Sequence, residues 1–112
     1  MRFYNVWRHR LIADVFVRIG GFFLYYVYML SCRDGSLYTG ITTDPLRRLK
    51  QHNEGTGAKY TRARRPARMV YLAPCGDRSA ASKREYAIKQ LPREEKLRLI
   101  ESEDNIIPEA GS

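Results

Sequence analysis

The chain has 112 residues, enough for one hydrophobic core and too few for two, so a single compact unit has to carry the function. Twenty Lys and Arg stand against 12 acidic residues, a net charge of +8 with a pI near 9.8, which suits a polyanionic partner and says nothing of fold. Only two cysteines occur, Cys32 and Cys75, and neither has a second Cys or His at metal-ligand spacing; this excludes a zinc module and leaves a reduced cytoplasmic chain as the expectation.

Residues 1–20 mix Arg2, Arg8, Arg10 and Arg18 with apolar residues, and Ile12, Val15, Phe16 and Ile19 fall at helical spacing. The stretch reads as an N-terminal extension of uncertain order: a packing helix, a basic arm, or translated sequence ahead of the true start. Asp14, Arg18 and the Gly20-Gly21 pair interrupt the apolar run from Leu11 to Leu30, so no membrane association is expected. Phe22 to Leu30 is then a dense aromatic and β-branched run that predicts a strand, and Leu37 to Thr42 predicts its return.

The turn between them decides which side chains share a face, because a one-residue slip in register moves every side chain to the opposite face. A two-residue loop at Asp34-Gly35 would send Tyr28 and Tyr38 to opposite faces. A three-residue loop, Arg33-Asp34-Gly35, pairs Leu30 with Tyr38 and Tyr28 with Gly40; Tyr26, Tyr28, Tyr38 and Thr42 then line one face, and Val27, Met29, Leu37 and Ile41 the other. The odd loop separates the polar from the apolar residues and puts Gly35 where such a hairpin wants a left-handed residue.

Asp44-Pro45 predicts a helix start and Gly55 a stop, so a helix should run to about Asn53 with Arg48 and His52 on one side of it. Gly55 to Arg65 reads as an exposed loop, Ala67 to Leu72 as a third strand, and Asp77 as the cap of a helix through Leu91. A last helix is expected from Arg93 to about Ser102, followed by a flexible acidic tail over residues 103–112. The order β-β-α-β-α-α over residues 21–102 predicts a small α+β domain, a three-stranded mixed or antiparallel sheet covered by helices.

Charge is not spread evenly. From Thr43 to Val70 eight basic residues face two acidic ones, net +6, whereas from Arg93 onward three basic residues face six acidic ones. A localised basic face favours nucleic acid. Lys59, Arg62, Arg64, Arg65 and Arg68, with Arg47, would track a phosphate backbone in a largely sequence-independent way.

Tyr26-Val27-Tyr28, then Tyr38-Thr39-Gly40-Ile41-Thr42-Thr43-Asp44, then Arg47-Arg48 and Gln51-His52-Asn53, then Glu85, occur in the order in which the chain resembles a GIY-YIG nuclease. The resemblance covers about Phe23 to Ile100. It is nearest in kind to the small stand-alone bacterial members, with a core shared by structure-specific endonucleases and an excision-repair nuclease domain. It implies that Tyr38 is the general base, that Tyr28 binds water or the scissile phosphate, and that Arg48 holds the phosphate. It also implies that His52 assists proton transfer or phosphate contact, that Glu85 binds one Mg²⁺ or Mn²⁺, and that Lys89 is a further family Lys on the same helix. The first half-motif departs from the family's Gly-Ile-Tyr by reading Tyr-Val-Tyr, and the Asn that many members carry after the metal-site helix has only Asn105, in the acidic tail, to match it.

The residue types suit the chemistry. A phosphodiester repels nucleophiles, and a guanidinium with one divalent ion offsets its charge; a single carboxylate suffices for Mg²⁺, which keeps waters and borrows substrate oxygens. A tyrosine, with an ordinary pKa of about 10, needs positive charge nearby to act as a base. Singly, each residue has an ordinary explanation: strand tyrosines pack, Arg48 and His52 suit a solvated helix face, and Glu85 and Lys89 form an i,i+4 pair. The expectation is a metal-dependent endonuclease acting on single-stranded, branched or damaged DNA in repair or processing, with a partner protein supplying specificity. The alternative is a catalytically weak nucleic-acid-binding protein of the same fold, RNA-associated.

Overall fold

The computed structural model describes residues 24–107. The expected N-terminal extension over residues 1–20 and residues 108–112 of the tail lie outside the described residues. Strands β1 (Tyr25–Ser31) and β2 (Leu37–Thr42) are followed by helices α1 (Pro45–Glu54) and α2 (Lys59–Arg62), and strand β3 (Arg68–Cys75) by helices α3 (Arg78–Lys89) and α4 (Arg93–Ile100). The strands form one antiparallel sheet of order β2-β1-β3. This is the expected α+β class, with a short α2 added where the sequence reads as a loop. None of the described helices is long and apolar enough to cross a membrane.

The hairpin closes as the odd loop requires. Tyr28 pairs with Gly40 and Leu30 with Tyr38, Gly35 takes φ 86°, and the Gly35 amide donates to the Cys32 carbonyl at 2.9 Å. One face of the sheet carries Tyr26, Tyr28, Leu30, Met69 and Leu72 against Leu49 of α1; the other carries Val27, Met29, Val70, Tyr71 and Ala73 against Ile88 of α3. Both faces are therefore dry, and the tyrosine face expected to be the polar one is a core face, with Tyr26 and Tyr28 buried. A register shift at Met29/Leu30 leaves Val70 as an extra residue in β3, which is why Val70 and its neighbour Tyr71 both face α3.

The helix ends follow from their caps. Asp44 Oδ1 accepts from the Arg47 amide at 3.2 Å, Pro45 opens α1, and Gly55 closes it at φ 87°. Asp77 Oδ1 accepts from the Ala80 amide at 2.8 Å and caps α3. β3 runs three residues beyond its expected end, through Pro74, because it is an edge strand and proline's missing donor costs no ladder bond there.

The tail does not fray where expected over residues 103–107. Asn105 Oδ1 accepts from the amides of Leu72 and Ile107, and its Nδ2 donates to the carbonyls of Val70 and Ile100. The Ile106 amide donates to the Leu72 carbonyl at 2.9 Å, and Ile107 is buried in the α1-side core. This segment covers the outer edge of β3, where unpaired backbone groups invite association. Asn105 is a structural clamp here.

Candidate active site

β2 is the other edge of the sheet, so side chains from α1 on one face and α3 on the other can approach the same strand. Tyr38, near the start of β2, is half-buried and faces α1. Its ring centroid lies 6.3 Å from that of Tyr28, 5.3 Å from His52 and 5.9 Å from Tyr60. Four of the five expected catalytic residues, Tyr28, Tyr38, Arg48 and His52, thus meet in one cluster, and Glu85 of α3 comes close enough for its charge to act on Tyr28.

Beneath Tyr38 runs a buried polar chain. The Tyr28 hydroxyl lies 2.8 Å from His52 Nε2, and His52 Nδ1 lies 2.8 Å from Thr61 Oγ1. Thr61 Oγ1 in turn donates to the Ala58 carbonyl at 3.0 Å. If the threonine proton is committed there, Nδ1–H donates to Thr61 and the Nε2 lone pair accepts the Tyr28 proton, the one tautomer that makes all three bonds. The electrostatics agree. Burial pushes the Tyr28 phenol up to about 12, with Arg48 against the hydroxyl pulling the other way, and burial, then the Arg48 charge, holds His52 down at about 4. Both groups are neutral at pH 7.

Tyr28 and His52 are each 0% exposed; Arg48 lies against the Tyr28 hydroxyl, and its Nη1 donates to Gln51 Oε1 at 3.0 Å. The close fit depends on glycine: a Cβ on Gly40 would lie 2.6 Å from the Tyr28 hydroxyl, and one on Gly57 would lie 2.6 Å from His52 Nδ1 and 2.9 Å from its Cα.

The His52 shift has a thermodynamic consequence. Its pKa is about 4 when folded against an ordinary 6.5, so between those pH values the unfolded chain binds a proton that the folded chain refuses. Stability should therefore fall as pH drops through that window, by about 2–3 kcal/mol from this residue. Urea midpoints at pH 7 and pH 4.5 check this: His52→Gln should shrink the difference between them, and an undiminished difference would assign the loss to other groups.

Glu85 has a side chain 24% exposed and pairs with Lys89 Nζ at 2.9 Å. Among the described residues no three His, Cys, Asp or Glu side chains gather as a metal cage. A single, partly exposed carboxylate such as this suits a hydrated Mg²⁺ or Mn²⁺, which keeps waters and takes phosphate oxygens, once the ion displaces the Lys89 ammonium.

Next to Arg48 a cleft of about 360 Å³ is bordered by Thr42, Thr43, Arg47, Gln51 and Arg78. A second hollow, of about 450 Å³, is bordered by Arg33, Arg62 and Arg65. Lys59 is exposed and Arg68 half-buried at the start of β3. Among the expected nucleic-acid contacts, Lys89 is paired with Glu85, Arg64 lies 3.0 Å from Asp34, and Arg65 Nε donates to the Arg62 carbonyl at 2.8 Å. Sequence reasoning missed Tyr60, Thr61, Gly57, Arg33 and Arg78 as site residues, and named Gln51 within the motif without giving it a role. The one signal for Tyr60 and Thr61 was an aromatic and a β-branched residue inside a basic loop.

Residues 24–98 match the family described as the GIY-YIG catalytic domain. The chain belongs to the GIY-YIG family. It is 53% identical over 81 residues to the UPF0213 protein DP2720 of Desulfotalea psychrophila, covering 71% of this chain and 74% of that protein. It is 52% identical over 80 residues to the UPF0213 protein OB0043 of Oceanobacillus iheyensis, covering 71% and 93%. The solution NMR structure of protein EF2693 from E. faecalis is 46% identical with a TM-score of 0.50, over 70% of this chain and 83% of that one. The GIY-YIG family is a nuclease family, and the matched residues span the whole Tyr28, Tyr38, Arg48, His52 and Glu85 set.

Proposed function

We propose that this GIY-YIG chain is a divalent-metal-dependent endonuclease that hydrolyses phosphodiesters in single-stranded, branched or damaged DNA, in repair or processing. The observation that carries the reading is the half-exposed Tyr38 seated on the buried Tyr28–His52–Thr61 chain, with Arg48 anchored to the same chain and Glu85 across the β2 edge. A pure binding module has no use for a carboxylate beside bound phosphate, where like charges repel unless a cation intervenes.

In this reading Arg48 binds the scissile phosphate and meets the charge that develops on its oxygens. Gln51 and the Tyr28 hydroxyl fix the guanidinium, so its orientation is set before substrate arrives. Tyr38 takes the proton of the attacking water, and Glu85 is the residue that would hold the Mg²⁺ or Mn²⁺. The bound cation would supply charge stabilisation on the phosphoryl oxygens and a more acidic water. Arg47 and Arg78 beside the cleft, and Arg33, Arg62 and Arg65 at the second hollow, are available for further backbone phosphates. Such contacts position without reading bases, so selectivity comes from DNA shape or from a partner protein.

Incubation of the full chain with end-labelled single-stranded, duplex and branched DNA, and with the matching RNA, tests the reading. Cleavage of DNA with Mg²⁺ or Mn²⁺ and none with EDTA is expected. Salt-sensitive binding without cleavage under any of these conditions would leave a nucleic-acid-binding protein instead.

A further inference from the structure

We propose that Tyr60 is a positioning residue for Tyr38, clamped from outside by an Arg64–Asp34 ion pair that ties α2 to the hairpin turn. The inference rests on the nuclease reading of Tyr38.

Tyr60 is 40% exposed, yet its ring has two close partners. Tyr38 stacks with a centroid separation of 5.9 Å and an interplanar angle of 23°. The Arg64 guanidinium carbon sits 3.9 Å from the ring centroid, a cation–π geometry. Arg64 is itself held at three points: Nε lies 3.0 Å from Asp34 Oδ2, Nη1 donates to the Tyr60 carbonyl at 2.7 Å, and the Arg64 carbonyl accepts from the Arg33 amide at 2.9 Å. Asp34 is fixed in turn by the amide and hydroxyl of Ser36.

The next residue completes the device. Thr61 is wholly buried and bonds to His52, so adjacent residues of one four-residue helix touch both parts of the site. Thr61 reaches the chain that orients Tyr28, and Tyr60 reaches Tyr38. Tyr38 stands on an edge strand and is located by ring contacts with Tyr28, His52 and Tyr60. The first two lie beneath it, which leaves Tyr60 to limit its swing toward solvent. A general base displaced by about 1 Å can lose about a hundredfold in rate, so a wall on that side has kinetic value.

The test uses the full chain with Tyr60→Ala and Tyr60→Phe, read in two ways. In NMR spectra, Tyr60→Ala should weaken the NOEs between the Tyr38 ring protons and those of Tyr28 and His52, a distance readout that loss of the Tyr60 ring current does not alter, whereas Tyr60→Phe, which keeps the ring, should leave them near their original intensities. In cleavage kinetics, Tyr60→Ala should lower kcat about ten- to a hundredfold with KM unchanged, and Tyr60→Phe should restore it. Unchanged Tyr38 NOEs in Tyr60→Ala, or a rise in KM with kcat intact, would overturn the proposal, the latter by making Tyr60 a substrate contact. If the wild-type chain cleaves nothing, the nuclease reading fails, and the NMR comparison still decides whether Tyr60 positions Tyr38.

Discussion

Arg48→Ala is expected to lower the single-turnover cleavage rate about 10²- to 10³-fold, the loss typical of removing one preorganised donor from a developing oxyanion. Arg48 is half-buried on α1, bonded to Gln51 and lying against the Tyr28 hydroxyl, so much of its ordering cost is met before substrate binds. Lysine should rescue little, because a compact ammonium on a flexible stem lacks the planar fork that lets one guanidinium face Gln51, Tyr28 and a phosphate oxygen in fixed directions. An independent sign should accompany the loss. Burial first and the Arg48 charge second hold His52 down at about 4, so removing Arg48 should raise the His52 titration seen by NMR while burial keeps it below the ordinary value. A rate within about threefold of wild type, where a tenfold change corresponds to about 1.4 kcal/mol, would take Arg48 off the phosphate.

Gly40→Ala should be strongly destabilising for so small a change. The new methyl would sit 2.6 Å from the Tyr28 hydroxyl oxygen and 2.8 Å from its ring carbon. A free side-chain end could yield cheaply, but Tyr28 is wholly buried and its hydroxyl is bonded to His52. Moving it costs packing and strands a buried hydrogen-bonding pair, about 1–3 kcal/mol. Chemical denaturation should show that loss, together with lower activity, since Arg48 loses its Tyr28 support. Gly76→Ala, where a Cβ meets nothing within 4 Å, is the control and should be close to neutral. Equal stability of the two variants would mean that the Tyr28 ring does not rest on Gly40.

This glycine also shows how far the sequence could be read. The odd hairpin loop follows from side-chain alternation alone, and it brings Tyr28 opposite Gly40 and Tyr38 onto the same face, as the register shows. Both ends of α1 and the start of α3 were equally readable, because Asp44, Pro45, Gly55 and Asp77 each act through local backbone bonds, whereas α3 stops at Lys89, two residues short of the expected Leu91. Burial of the tyrosine face was not, since a tyrosine looks alike in sequence whether its hydroxyl meets water or a histidine. The four-residue α2 has no side-chain cap and is too short to show a period, so its Tyr60 and Thr61 merged into a basic loop. The tail failed for a related reason: four bonds from one amide, Asn105, fix residues whose acidic composition suggests fraying. What depends on neighbours in sequence was legible, and what depends on one side chain meeting distant backbone was not.

The central claim is that Tyr38 performs chemistry and is not merely a packed aromatic. Tyr38→Phe keeps the ring that stacks on Tyr60 and touches His52 and removes only the hydroxyl, so its fold should match that of the wild type. Single-turnover cleavage of labelled DNA at saturating Mg²⁺ or Mn²⁺ should then be slower by at least about 10²-fold, the lower bound for a general base, with DNA binding unchanged. Wild-type cleavage by Tyr38→Phe would contradict the account.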